Sequence, residues 1–153
     1  MSNSAIPERN MYQIETKDGI IVCTPDDIQT MTSVVLLEQE DWFEQELDFL
    51  REYLQPGMNV VDGGASFGTF SLPMAREVGE HGMVYAFEPS VTTRKYLESS
   101  KQKNNFDQLE IVEKALGDKV GKGRLCIAAT PERNTVDEKG EEPIAMTTLD
   151  AWW

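Results

Sequence analysis

The chain has 153 residues, 40% of them apolar and 27% charged, and a formal charge of −13. That length suits one domain with one sizeable core, and no run of about 18 apolar residues is present to span a membrane. A domain this acidic has no general electrostatic attraction to nucleic acid or to anionic membranes, so neither is expected as a partner.

The N-terminal stretch Met1–Asn10 is polar and carries no apolar signal core. Cys23 and Cys126 lie far apart without metal-ligand spacing, which favours a reduced, cytoplasmic protein over a disulfide framework. His81, the sole histidine, falls in the turn-like "GEHG". A histidine metal site or a Ser-His-Asp triad is therefore not expected.

In chain order, "MYQIETKDGIIVCTP" alternates loosely around Asp18-Gly19, which predicts two short strands over residues 11–23. Residues 25–37 carry no decisive pattern. In "EDWFEQELDFLREYLQPG", Phe43, Leu47, Leu50 and Leu54 fall on one helical face. Asp41 and Glu44 resemble a capping box at its start, and Pro56-Gly57 ends it. "MNVVD" reads as a short buried strand, and residues 67–78 as a helix in which Pro73 costs some regularity. "GMVYAFEP" is a second strand, Ser90 caps a helix running to about Asn104, and "LEIVEKAL" is a third strand.

Strands alternating with helices at this spacing predict βαβ units and a parallel sheet, an α/β fold. "GRLCIAA" and "EPIAMTTLD" are two further strand-like runs around a polar loop, residues 130–142, in which no site is recognisable. The chain divides into an N-terminal hairpin and extension, residues 1–40, and a ligand-binding unit, residues 41–153.

The chemistry concentrates in "VVDGGASFGTFS", residues 60–71. A strand-to-helix turn rich in glycine lets a ligand approach the backbone closely. A phosphate-binding P-loop needs a lysine that Gly68-Thr69-Phe70 lacks. A dinucleotide fingerprint needs three glycines, and here Ala65 takes the middle place between Gly63 and Gly68. Asp62 would also repel a pyrophosphate. S-adenosylmethionine carries no phosphate, and its ammonium suits Asp62 while the turn takes its carboxylate. Glu88 closes the second strand 26 residues after Asp62, near the spacing of a ribose-binding carboxylate. Asp118 in "ALGD" either accepts from the adenine amino group or marks a plain turn with Gly117.

"PGMNVVDGGASFGTFSLPMA", "GMVYAFEPS" and "EIVEKALGDKVGKGRL" resemble the FkbM-type branch of class I S-adenosylmethionine-dependent methyltransferases. The resemblance runs from about Trp42 to the end. It implies a Rossmann-like fold and methylation of a hydroxyl on a sugar or small metabolite. It implies that Asp62, Gly63, Gly64, Ala65, Ser66, Phe67 and Gly68 hold the methionine part and Glu88 the ribose. Pro89 would face the adenine, with Ala115, Leu116, Gly117 and Asp118 closing that side. The competing readings are a non-catalytic nucleotide-binding module and an NAD-dependent oxidoreductase, which Asp62 disfavours.

In that family the equivalent of "TTLD" leads on to further strands. Residues 58–153 number 96, about three βαβ units' worth at roughly 30 residues each. The expectation is an incomplete sheet, a cofactor-binding part without its acceptor side, and no catalytic residue is assigned. A strand edge left open in this way is expected to promote self-association.

Overall fold

The structure, a computed structural model, describes residues 10–153. The stretch 1–9, and with it most of the segment read as lacking a signal core, lies outside the described residues. No helix among those described is long and apolar enough to cross a membrane.

Strands β1 (Met11–Glu15) and β2 (Ile21–Pro25) form the expected hairpin. Residues 25–37, without a decisive pattern in sequence, contain most of helix α1 (Met31–Gln39). Helix α2 spans Gln45–Tyr53, and its start corrects the capping-box expectation: Glu44 occupies the cap without a capping hydrogen bond, its carboxylate accepting instead from Trp42 Nε1 at 3.2 Å. Asp41 instead pairs with Lys17 and with Arg51, so it ties the hairpin turn to α2. Leu47 and Leu54 of the expected face are buried, whereas Phe43 lies before the helix and is exposed.

Strands β3 (Asn59–Gly63), β4 (Met83–Phe87) and β5 (Leu109–Val112) form a parallel sheet in the order β3-β4-β5. In register, Val60 lies beside Val84, and Ala86 beside Ile111. Helix α3 (Ser71–Val78) is shorter than expected, and Pro73 sits in its first turn, where a missing N–H costs nothing. Helix α4 (Val91–Asn104) begins as the sequence indicates: Thr93 N–H donates to Ser90 Oγ at 3.3 Å.

Val84, Ala86 and Leu109 pack with Leu72, Ala75, Val78 and Leu97 in one buried cluster, which also takes in Ile14, Val22 and Leu36 from the hairpin and α1. The opposite face of β4 presents Tyr85 and Phe87, against which Trp152 packs edge-on. Among the described residues, strand β3 pairs with β4 alone.

"LEIVEKAL" is not one strand. Lys114 N–H donates to Val112 O at 2.8 Å, and the turn sends β6 (Ala115–Leu116) into a second sheet. That sheet runs β6-β9-β7-β8, with β7 Gly121–Cys126, β8 Thr135–Val136 and β9 Glu142–Thr147. Ala115, Leu125, Ile144 and Met146 form its small core. A short helix, α5 (Leu149–Trp152), follows.

Candidate functional site

A cavity of about 260 Å³ opens at the carboxyl ends of β3 and β4, where open α/β sheets bind ligands. Three pieces of chain build it: the turn after β3, the end of β4, and the β6 segment, covered by residues from the second sheet and its loop.

The turn after β3 is held by its own backbone. Gly64 and Ala65 N–H both donate to Phe87 O at 2.9 Å, and Gly68 N–H donates to Ala65 O at 2.8 Å. Gly64 has φ 86° and Ser66 φ 51°, both left-handed. Ser66 N–H donates to Glu88 Oε2 at 2.8 Å, and Ser90 N–H to Glu88 Oε1 at 2.9 Å. Glu88 is 7% exposed. Burial pushes its carboxyl upward, partly offset by those two main-chain hydrogen bonds and by the Arg94 charge.

Of the residues singled out in sequence, Gly63, Gly64, Ser66, Glu88, Pro89, Ala115 and Leu116 line the cavity. The others stand elsewhere. Asp62 accepts a hydrogen bond from the Ser71 hydroxyl on α3 and does not line the cavity. Burial pushes its carboxyl up against that hydrogen bond. Ala65 and Phe67 are core residues, and Phe67 meets Tyr96 edge-on at 5.7 Å. A Cβ on Gly68 would lie 2.6 Å from Leu97 Cδ1, so this glycine serves close helix packing. Gly117 N–H donates to Thr147 O at 2.9 Å. Asp118 lines a separate groove of about 630 Å³ beside Lys119, Lys122 and Arg124.

The loop 130–142, expected to hold no site, covers the cavity through Pro131, Glu132 and Asn134. A one-turn 3-10 helix, Pro131–Arg133, presents Glu132. Its Oε1 accepts from Thr32 N–H at 2.9 Å and from the Thr32 hydroxyl at 2.8 Å. Among the described residues, its Oε2 is buried without a hydrogen-bond partner, as is Ser66 Oγ. No local signal marks Glu132, because its partner lies a hundred positions away in the chain.

No protein-family profile and no curated protein matches the sequence. Solved structures do match the fold. P. horikoshii TYW2, crystallised with MeSAdo, is 20% identical with a TM-score of 0.53, over 76% of this chain and 40% of that protein. A SAM dependent methyltransferase from Aquifex aeolicus is 26% identical with a TM-score of 0.43, over 52% of this chain and 40% of that one. A protein described as an rRNA-methylase from Clostridium thermocellum is 22% identical with a TM-score of 0.45, over 46% and 39%. The chain spans less than half the length of each. The expectation of no nucleic-acid partner is corrected, since the matched structures include this rRNA-methylase. A charge summed over a whole chain does not describe the one face that meets an acceptor. The parallel β3-β4-β5 sheet with its helices, and the likeness to TYW2, show a Rossmann-like α/β fold shared with that protein.

Proposed function

We propose that the cavity at the ends of β3 and β4 binds S-adenosylmethionine and that the chain serves methyl transfer. The charge of the cavity carries this reading. Among the described residues, Glu88 and Glu132 line it and no lysine or arginine does. A pyrophosphate would bring two negative charges to two carboxylates. S-adenosylmethionine brings an ammonium and a sulfonium beside one carboxylate, which makes the pairing favourable.

Glu88 is the ribose residue in this reading. Each of its oxygens already accepts one main-chain N–H, and each keeps a lone pair for a ribose hydroxyl. Gly63 and Gly64 allow the ligand to approach the backbone, with Pro89, Ala115 and Leu116 on the adenine side. The N–H groups of Gly64, Ala65 and Ser66 are engaged by Phe87 O and Glu88. The methionyl carboxylate is therefore held by other donors than these. When bound, S-adenosylmethionine supplies an electrophilic methyl group. The protein's part is to hold an acceptor in line with it, where proximity and orientation supply most of the rate. The resemblance of "AFEP" and "ALGD" to the FkbM-type branch supports a hydroxyl as that acceptor.

Thermal shift and calorimetry with S-adenosylhomocysteine against NAD test the assignment. Stabilisation by S-adenosylhomocysteine alone is the expected result. Stabilisation by NAD alone would overturn it.

A further inference from the structure

We infer that Glu132, with the Ser66 hydroxyl as a second contact, holds the α-ammonium of S-adenosylmethionine. This rests on the cofactor reading above and assigns a role within it. Among the described residues, the buried side-chain oxygens without a hydrogen-bond partner are Ser66 Oγ and Glu132 Oε2. Both belong to residues that line the same cavity. Buried polar atoms are ordinarily satisfied, and an orphaned carboxylate oxygen is among the most costly to leave bare. Two such atoms, each on a residue that lines one cavity, point to a donor there.

The chemistry of the two atoms selects the donor. A carboxylate oxygen only accepts, and a cationic N–H is its strongest partner. The ligand offers three sets of donors: the adenine amino group, the ribose hydroxyls and the α-ammonium. Glu88 serves the ribose. Ser66 belongs to the turn after β3, where the methionyl part lies in this reading. Of the three, the ammonium alone combines positive charge with several N–H groups, enough for both orphaned oxygens.

The orientation of Glu132 is set in advance. Thr32 holds Oε1 through its N–H at 2.9 Å and its hydroxyl at 2.8 Å, so Oε2 is fixed without cost at binding. Asp62, the sequence-based candidate for the ammonium, turns to Ser71 instead and does not line the cavity.

The test compares S-adenosylhomocysteine, which carries the ammonium, with methylthioadenosine, which lacks the whole amino-acid end. Calorimetry on wild type, Glu132→Gln and Ser66→Ala gives the two affinities. Glu132→Gln should weaken S-adenosylhomocysteine tenfold or more and leave methylthioadenosine within twofold. Ser66→Ala should show the same selectivity at several-fold, and decides the matter if Glu132→Gln proves unfolded by circular dichroism. Equal loss for both ligands, or loss for neither, would overturn the assignment. Wild type binding methylthioadenosine as tightly as S-adenosylhomocysteine would overturn it while leaving the cofactor reading intact. Wild type binding neither ligand would overturn both.

Discussion

The main-chain N–H of Ser66 donates to Glu88 Oε2 at 2.8 Å, joining the turn after β3 to the end of β4. Ser66 holds a left-handed φ of 51° to make this bond. Backbone strain of this kind persists when its surroundings enforce it, and here it aims a carboxylate at the cavity. Glu88→Gln keeps the shape and removes the charge. The exchange should weaken S-adenosylhomocysteine binding by about 1–3 kcal/mol, through loss of charge-assisted hydrogen bonds to the ribose. Equal affinities by calorimetry would take Glu88 out of that role.

The two left-handed glycines of the turn should fail differently. Gly64 has φ 86° and Gly68 φ 92°, so a side chain at either is strained by about 1–2 kcal/mol. A Cβ at Gly64 meets nothing within 4 Å, whereas one at Gly68 lies 2.6 Å from Leu97 and 3.0 Å from Leu72. Gly64→Val should abolish ligand binding with helix content preserved, because the side chain enters the cavity. Gly68→Val should lose the fold itself. Circular dichroism and calorimetry on both variants check this, and a tightly binding Gly64→Val protein would place the ligand elsewhere.

Asp62 and Asp41 should move stability with pH in opposite directions. Burial raises the Asp62 carboxyl above its ordinary 3.8, opposed by the Ser71 hydrogen bond. The unfolded chain ionises it more readily, so its stabilisation is complete below that value and lost as pH rises through the folded one. Burial also raises Asp41, but hydrogen bonds from Lys17 and Arg51 outweigh it and the carboxyl titrates below 3.8. Its stabilisation is present above 3.8 and lost as pH falls through the folded value. Asp62→Asn should therefore flatten the decline in stability from about pH 4 upward and raise stability at neutral pH. Parallel urea-unfolding profiles for wild type and variant would show that Asp62 titrates at its ordinary value.

Trp152 should couple α5 to the face of β4 that carries Tyr85 and Phe87. Its ring lies 4.8 Å from that of Tyr85 and 4.9 Å from that of Phe87, both edge-on. Such pairs contribute about 0.5–1.5 kcal/mol each beyond area burial. Trp152→Ala should lower unfolding free energy by about 1–3 kcal/mol in urea, and combine less than additively with Tyr85→Ala. Strict additivity would mean that the two rings do not share an interaction.

What was legible in the sequence was local. Ser90 caps α4 because a serine three residues before a helical N–H is enough to do so. The strands β3, β4 and β5 follow from short apolar runs separated by helical lengths, and the acidic glycine turn follows from composition at one strand end. Glu88 and the Gly63–Ser66 turn were therefore visible as a pair, since βαβ geometry brings successive strand ends together. Other features depended on contacts between distant residues. Asp62 turns to Ser71, nine residues on, because strand parity sends it to the helix face while Gly63 and Phe87 face the other way. Nothing in "TPERNT" says that Glu132 reaches Thr32 and the cavity. The break of "LEIVEKAL" into two sheets depends on a distant contact: β6 pairs with β9, 31 residues on. Sequence determined the hairpin, the β3-β4-β5 strands, helices α2 and α4, and the acidic glycine turn. Tertiary packing decided which carboxylates line the cavity, because a side chain's surroundings are set by chain segments that no local pattern encodes.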